Sequence, residues 1–357
     1  MPLPVGYAAR YRAAVTQSAV TSRVFEEVAT RLPDGYRIRE FDDSDREPIV
    51  EETNAERHPM ERETADEWRR WESLYEDPTR LRVIVTDRAG AVAASGNIQA
   101  GFFPRSDGAQ SISVGVSRAH RGRGIGGVLL GALEAEARRR NVPRILAGTS
   151  AALSFALEWA TKRGYREIGR RIMSYRELGS YDPAAWRDAI DRVTRDGIRI
   201  RTFAEVLDER DGEGQDRFWH EVQLAERPMW EDIPFASPTP HWPFERFYQM
   251  TAKNPHFLPV LSLLAYDGDT IAGLTTTGDR EGKDGWTYMT GVAREYRGRG
   301  IAMALKVEVL ARAKAAGRRA MCTVNDEPNR AMRSVNIKLG YQPVPDHVEL
   351  EKRFAGA

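Results

Sequence analysis

The chain has 357 residues, enough for two domains of ordinary size. With 53 basic and 52 acidic residues, a net charge of +1 and 41% hydrophobic residues, it reads as globular and is not built chiefly to bind nucleic acid or an anionic membrane. Cys322 is the one cysteine, which excludes an intrachain disulfide and a cysteine-based zinc site and suits inert core.

Residues 1–35 read as a helical leader, with a helix over 8–31 ended by Pro33-Asp34-Gly35. No apolar run approaches the ~20 residues of a membrane-crossing helix, and residues 1–12 lack the apolar stretch of a signal peptide, so a cytoplasmic location is expected. A strand follows over 36–41, then a charged helical region over 44–76 containing Trp68 and Trp71. Strands at 82–86 and 91–98 flank the turn residues Asp87-Arg88-Ala89-Gly90. A strand at 111–116 leads into a glycine–arginine loop and a helix over 126–140, whose apolar positions Val128, Leu129, Ala132, Leu133 and Ala137 have helical spacing. A strand at 145–149, a helix at 153–163 stopped by Gly164, and a strand pair over 165–178 close the first copy. Residues 179–196 form a linker. The second copy repeats the order, with strands at 198–203, 261–266, 270–277, 286–292, 319–324 and 348–354. Its front half is longer and rich in aromatics and proline. Helices are expected at 301–316 and 329–339. Each half is α+β, with a mostly antiparallel front.

The loop occurs twice, as Arg121-Gly122-Arg123-Gly124-Ile125-Gly126 and Arg297-Gly298-Arg299-Gly300-Ile301-Ala302. Arg121 and Arg297 lie 176 positions apart (297 − 121), and so do Lys162 and Lys338, Gly164 and Gly340, and Tyr165 and Tyr341. A period this long is a domain duplication, because solenoid repeats run roughly 20–50 residues. A glycine loop between strand and helix leaves backbone N–H groups free, which is an anion site. A P-loop would need Gly-Lys-Ser/Thr, which neither copy has. The dinucleotide fingerprint fits the first copy formally, but Met303 breaks it in the second, and residues 145–149 carry no acidic residue for a ribose.

The pattern Arg-x-x-Gly-x-Gly/Ala, preceded by Val116 or Val292 and followed later by Lys-x-Gly-Tyr, resembles the acetyl-CoA pyrophosphate loop of the GCN5-related N-acetyltransferase (GNAT) superfamily. The resemblance covers 36–178 and 197–357, and in architecture it is of the tandem type found in mycothiol synthase. It implies two tandem GNAT domains, each a mixed, mostly antiparallel sheet with a splayed strand pair flanked by helices. It further implies that Val116 with Arg121–Gly126, and Val292 with Arg297–Ala302 (Arg121, Gly122, Arg123, Gly124, Ile125, Gly126; Arg297, Gly298, Arg299, Gly300, Ile301, Ala302), bind acetyl-CoA as cosubstrate. In the family the strand before the loop parts from its neighbour, the thioester carbonyl bonds to that strand's backbone, and an amine attacks from the other side.

The halves differ. Asn325, Asn329 and Asn336 stand where the first copy has Thr149, Leu153 and Ala160. In the family, polar groups here bond the pantetheine arm; capping of the helix is the other reading of Asn325 and Asn329. The C-terminal half is therefore expected to be the catalytic one and the N-terminal half degenerate. The tyrosine acid of many relatives is replaced by Ala160 and Asn336, so Tyr288 on the fourth strand is the candidate acid, on the expectation that Trp286, Tyr288 and Thr290 share a face. The base is sought among His220, Glu221, Glu226, Glu231, Asp232 and His241, with Glu231 and Asp232 as the named candidates. No histidine spacing suggests a metal. The expected partner is a small-molecule amine, of which an aminoglycoside-type antibiotic is a variant, and the expected state is a monomer or homodimer. The rival reading is a non-catalytic acyl-CoA sensor.

Overall fold

The computed structural model describes residues 17–354 apart from 75, 76, 78, 101–104, 238 and 281–283. The leader's first part, 1–16, lies outside the described residues. In the first copy the elements are α1 (Gln17–Ala29), β1 (Arg37–Glu40), α2 (Arg46–Asn54), α3 (Ala65–Ser73), β2 (Leu81–Thr86), β3 (Val92–Gln99), β4 (Gln110–Val116), α4 (Ile125–Arg139), β5 (Arg144–Ser150), α5 (Ser154–Thr161) and β6 (Arg166–Glu177). After α6 (Arg187–Arg195) come β7 (Ile198–Thr202), α7 (Phe203–Asp208), α8 (Gly212–Glu231), α9 (Phe244–Met250), β8 (Leu263–Asp267), β9 (Thr270–Arg280), β10 (Asp284–Val292), α10 (Ile301–Ala315), β11 (Ala320–Asp326), α11 (Arg330–Lys338), β12 (Gln342–Pro343) and β13 (His347–Arg353).

Two compact units result, and neither is one stretch of chain. The first holds the described parts of Met1–Glu56, Glu76–Ala147 and Glu351–Ala357; the second holds those of Arg57–Tyr75 and Gly148–Leu350. In the first unit, β1 to β4 pair antiparallel in sequence order, and β4 joins β5 in parallel. Helix α4 lays Leu129, Leu133 and Ala137 on this sheet, where Gly96 leaves room: a Cβ there would come within 3.1 Å of Leu133. The end of the chain completes the unit, with Arg144 donating to Glu351 at 2.9 Å and Lys352 to Glu134 at 2.7 Å.

In the second unit the order is β6-β11-β10-β9-β8-β7, with β12 also on β6. Strand β11 pairs with β6 along its whole length, from Ala320↔Glu177 to Asp326↔Arg171. The expected strand pair over 165–178 is thus one strand. Its alternating charged and apolar residues suited either arrangement, and the absence of a turn residue after Gly169 favours the unbroken one. One face of the sheet is covered by α6 and α10 through Val193, Ile301, Ala304, Leu305 and Leu310; another core joins α7, α8 and α9 through Phe203, Phe218, Trp219 and Phe247. Cys322 is fully buried, and burial pushes its thiol up to about 11, which makes it inert.

Lys306 on α10 stands out in the first of these cores. It is 2% exposed, its Nζ has no hydrogen-bond partner among the described residues, and it sits 4.7 Å from the centre of the Tyr341 ring. The first copy carries Leu130 at the matching position, 176 residues earlier (306 − 130). Burial lowers the ammonium from its ordinary 10.5 to about 7. Between these values the unfolded chain binds more protons than the folded one, so this group makes stability rise with pH across that window. Replacing Lys306 by Leu is expected to raise the melting temperature near pH 7 by at least ~3 °C and to flatten the gain between pH 7 and 10; calorimetry at both values checks it.

Candidate functional site

The two loops have the same backbone. Gly122 and Gly124 have φ of +76° and +85°, and Gly298 and Gly300 have +79° and +89°. Two left-handed turns in three residues fold the chain back sharply at the helix start, and only glycine takes both without strain. The helices that follow, α4 and α10, have no side-chain cap, whereas α3, α7 and α8 are capped by Thr64, Thr202 and Asp211. Among the described residues, none accepts from the amides of 122–126 or 298–303. These uncapped donors, with the positive end of a helix behind them, are what a pyrophosphate requires.

The side chains of Arg121 and Arg297 are held by protein groups. Arg121 Nε donates to Val116 O at 2.9 Å, and its two terminal nitrogens grip Glu56 at 2.7 Å each. Arg297 Nε donates to Val292 O at 3.0 Å and Nη2 to Asp232 at 2.5 Å. Their amides donate to Arg118 O and Arg294 O. The first arginine of each motif therefore clamps the loop to the strand before it and to a carboxylate beyond a helix. The second arginines also hold the loop: Arg123 reaches Tyr36 Oη at 3.0 Å, and Arg299 donates to Asp196 O at 3.0 Å.

This clamp corrects the candidate base. Asp232 is paired with both Arg294 and Arg297, which hold its carboxyl far below the usual carboxylate range. It is a loop anchor and too weak a base for an ammonium. Glu231 is also misplaced as a catalyst: it is half exposed and pairs with Arg227 at 3.2 Å on the helix surface. Glu56 was not recognised in the sequence, yet a signal was present. Glu56 and Asp232 are themselves 176 positions apart (232 − 56), the offset of the loops they anchor.

Each loop follows a strand that parts from its neighbour. Strand β10 pairs with β11 only from Asp284 to Thr287, although both run on to Val292 and Asp326. Strand β4 pairs with β5 only at Gln110 and Ser111. In the second copy the opening has a polar edge. Asn336 is 3% exposed and donates to Asn325 Oδ1 at 2.6 Å, which leaves the Asn325 NH2 as the group on offer. Asn329 accepts from Met332 N at 3.3 Å and caps α11.

A β-bulge at Thr287/Met289 resets the alternation of β10. Met289 joins the α8 core and Val292 packs toward α10, so Trp286, Tyr288 and Thr290 do not share one face as expected. The Tyr288 ring lies on Gly278, where a Cβ would fall 2.0 Å from its hydroxyl. That hydroxyl is buried beside Asn254 without a well-formed hydrogen bond, and burial pushes it up to about 12. Of the remaining acceptor-region residues, His220 stacks on Phe244 at 3.4 Å, while Glu226 and His241 come together, Oε1 to Nε2, at 3.6 Å with both side chains under 10% exposed.

The paired open loops and splayed strands define an acyl-CoA-dependent transferase fold. The sequence profile of the Acetyltransferase (GNAT) family matches residues 47–165 and 219–341, more than half the chain, and the protein belongs to that family. A GCN5-related N-acetyltransferase from Sphaerobacter thermophilus superposes with a TM-score of 0.69 at 24% identity, over 90% of this chain and 96% of its own. A tandem GNAT protein from the clavulanic acid biosynthesis pathway gives 0.66 at 17% identity, over 89% and 98%. Saccharomyces cerevisiae N-myristoyltransferase with bound myristoyl-CoA gives 0.55 at 10%, over 90% and 83%. At these identities the likeness is one of fold. No curated protein sequence matches the chain. Among the described residues no helix is long and apolar enough to cross a membrane.

The clamp makes a distinct prediction. Asp232→Asn is expected to weaken acetyl-CoA binding about five- to tenfold by freeing the loop, and Glu231→Gln to leave it unchanged. Isothermal titration of both variants checks this.

Proposed function

We propose that the protein transfers an acetyl group from acetyl-CoA to the primary amine of a small molecule, chiefly in its C-terminal half, residues 197–357. The observation that carries this reading is the coincidence, in the second copy alone, of an uncapped loop, a splayed β10–β11 pair and the Asn325–Asn336 pair at its edge. The first copy keeps the loop and the splay but has Thr149, Leu153 and Ala160 in place of the three amides. Residues 36–178 would then act as a partner domain that retains a cofactor loop.

In the proposed reaction the amine nitrogen attacks the thioester carbon, the new C–N bond forms, and the C–S bond breaks to release coenzyme A thiolate. The backbone of β10 beyond Thr287 is unpaired on its β11 side and supplies the donors that polarise the carbonyl. Tyr288 is a donor of hydrogen bonds rather than protons. Its hydroxyl near 12 is a weaker acid than a thiol near ~8.5, so proton transfer to the thiolate runs uphill. We assign the proton from the amine to the Glu226–His241 pair. Glu226 lies one turn before Met229 on α8, and Met229 packs on Gly291 of β10. The same dry aromatic surroundings, Trp230 and Trp242, suit a cationic amine before it gives up its proton.

The test is steady-state turnover with acetyl-CoA and a panel of primary amines. Glu226→Gln is expected to lower kcat at least about 100-fold, the lower end of the range for acid–base groups, with acetyl-CoA affinity unchanged, and Glu231→Gln to leave kcat as it is. Equal loss in both variants would remove the pair from the reaction. A non-catalytic sensor is the second reading, favoured by Asn336 standing where many relatives place a tyrosine acid; tight acetyl-CoA binding with no turnover across the panel would select it.

A further inference from the structure

The first copy's segment 57–75 belongs to the second unit, together with β6, β9, β10 and β11, and not with the rest of its own copy's front half. It is fixed there in two ways. Met60 is 9% exposed and packs among Ala320, Cys322 and Val344, with Tyr175 and Trp286 beside it. Arg280, at the end of β9, donates to the carbonyl oxygens of Met60 and Arg62 at 2.5 Å each and faces Glu67 at 3.7 Å. A reciprocal cap between Thr64 and Glu67 starts α3 immediately after this anchor. Helix α3 is thereby held against β10, and it brings Trp71 to Tyr288 with ring centres 6.0 Å apart at 87°. Trp71 is nevertheless 37% exposed, an unusual state for an indole that also has a packing partner.

We infer that α3 is the outer wall of the acceptor pocket of the C-terminal half, and that Trp71 selects amines carrying a flat aromatic group. The inference rests on the reading of that half as the acetylating one. Trp71 and Tyr288 offer two ring surfaces beside β10, and Tyr288 is the first residue past Thr287, where the pairing of β10 with β11 ends. A further ring stacks edge-to-face or offset in such a setting at about 4.5–7 Å, and an ammonium next to it gains from the same ring faces. The wall comes from one copy and the splayed strand from the other, so selectivity and chemistry are encoded in different halves of the duplication.

The test measures binding of 2-phenylethylamine and of n-propylamine to the full-length protein saturated with coenzyme A, by calorimetry, in wild type, Trp71→Ala and Trp71→Phe. Trp71→Ala is expected to weaken 2-phenylethylamine at least about tenfold, the worth of roughly 1.4 kcal/mol of ring contact and burial. Trp71→Phe is expected to restore it to within about threefold, with n-propylamine and coenzyme A unaffected throughout. Unchanged coenzyme A affinity in the same samples shows that the variants are folded. Equal affinity of wild type and Trp71→Ala for 2-phenylethylamine, or no binding by wild type, would overturn the wall. Binding that follows the expected order without acetylation of either amine would leave the wall standing and defeat the transfer reaction instead.

Discussion

The structure turns on an arginine that binds protein so that the backbone beside it is left to bind something else. Arg297 ties the loop to Val292 O and to Asp232, and Arg121 ties its loop to Val116 O and Glu56. With the loop fixed at both ends, the left-handed glycines can hold a run of amides open at the start of an uncapped helix. Open backbone donors cost free energy unless an anion or water takes them. That cost is borne in both copies with the same geometry. The negative carboxylates sit behind the clamp, where they neutralise guanidinium groups that would otherwise crowd the loop with uncommitted charge.

The duplication has been reorganised as well as repeated. The closing strand of the first copy, β6, runs along β11 of the second over seven paired residues, and the last residues of the chain return to β5's unit through Arg144, Glu134 and Glu351. The segment 57–75 is likewise drawn into the second unit by Met60 and Arg280. Neither sheet is complete without chain from the other copy. The first copy's closing strand and its helix α3 are thus parts of the second unit. Lys306, buried where the first copy has Leu130, shows that the two cores have also diverged.

The order of strands and helices was legible in the sequence because apolar periodicity and turn residues agree along most of the chain, and because the copies check each other at an offset of 176 (297 − 121). The loops were legible for the same reason. What could not be read were features that depend on pairing across long distances. The bulge at Thr287/Met289 leaves no mark in the pattern Trp286-Thr287-Tyr288-Met289, and it moves Thr290 to the other face from Trp286. The long β6 strand looked like a hairpin because its partner lies some 150 residues away (323 − 174 for one pair). Asp232 looked like a base because a carboxylate in an acceptor region is a base until its partners are known; two guanidinium groups decide otherwise. Glu226 and His241 are fifteen residues apart (241 − 226) on opposite sides of a proline-rich turn, and only the fold brings them to 3.6 Å.

The central claim is that both loops are working cofactor sites and that the second alone also has the polar edge for the acyl arm. Native mass spectrometry with acetyl-CoA, on wild type and on the Gly124→Glu and Gly300→Glu variants, tests it most directly. A side chain at either position is strained by its positive φ and places a carboxylate among the open amides. The account predicts two cofactors per chain in wild type and one in each variant, with the tighter site lost in Gly300→Glu. Failure of wild type to bind acetyl-CoA, or binding that survives Gly300→Glu undiminished, would contradict it.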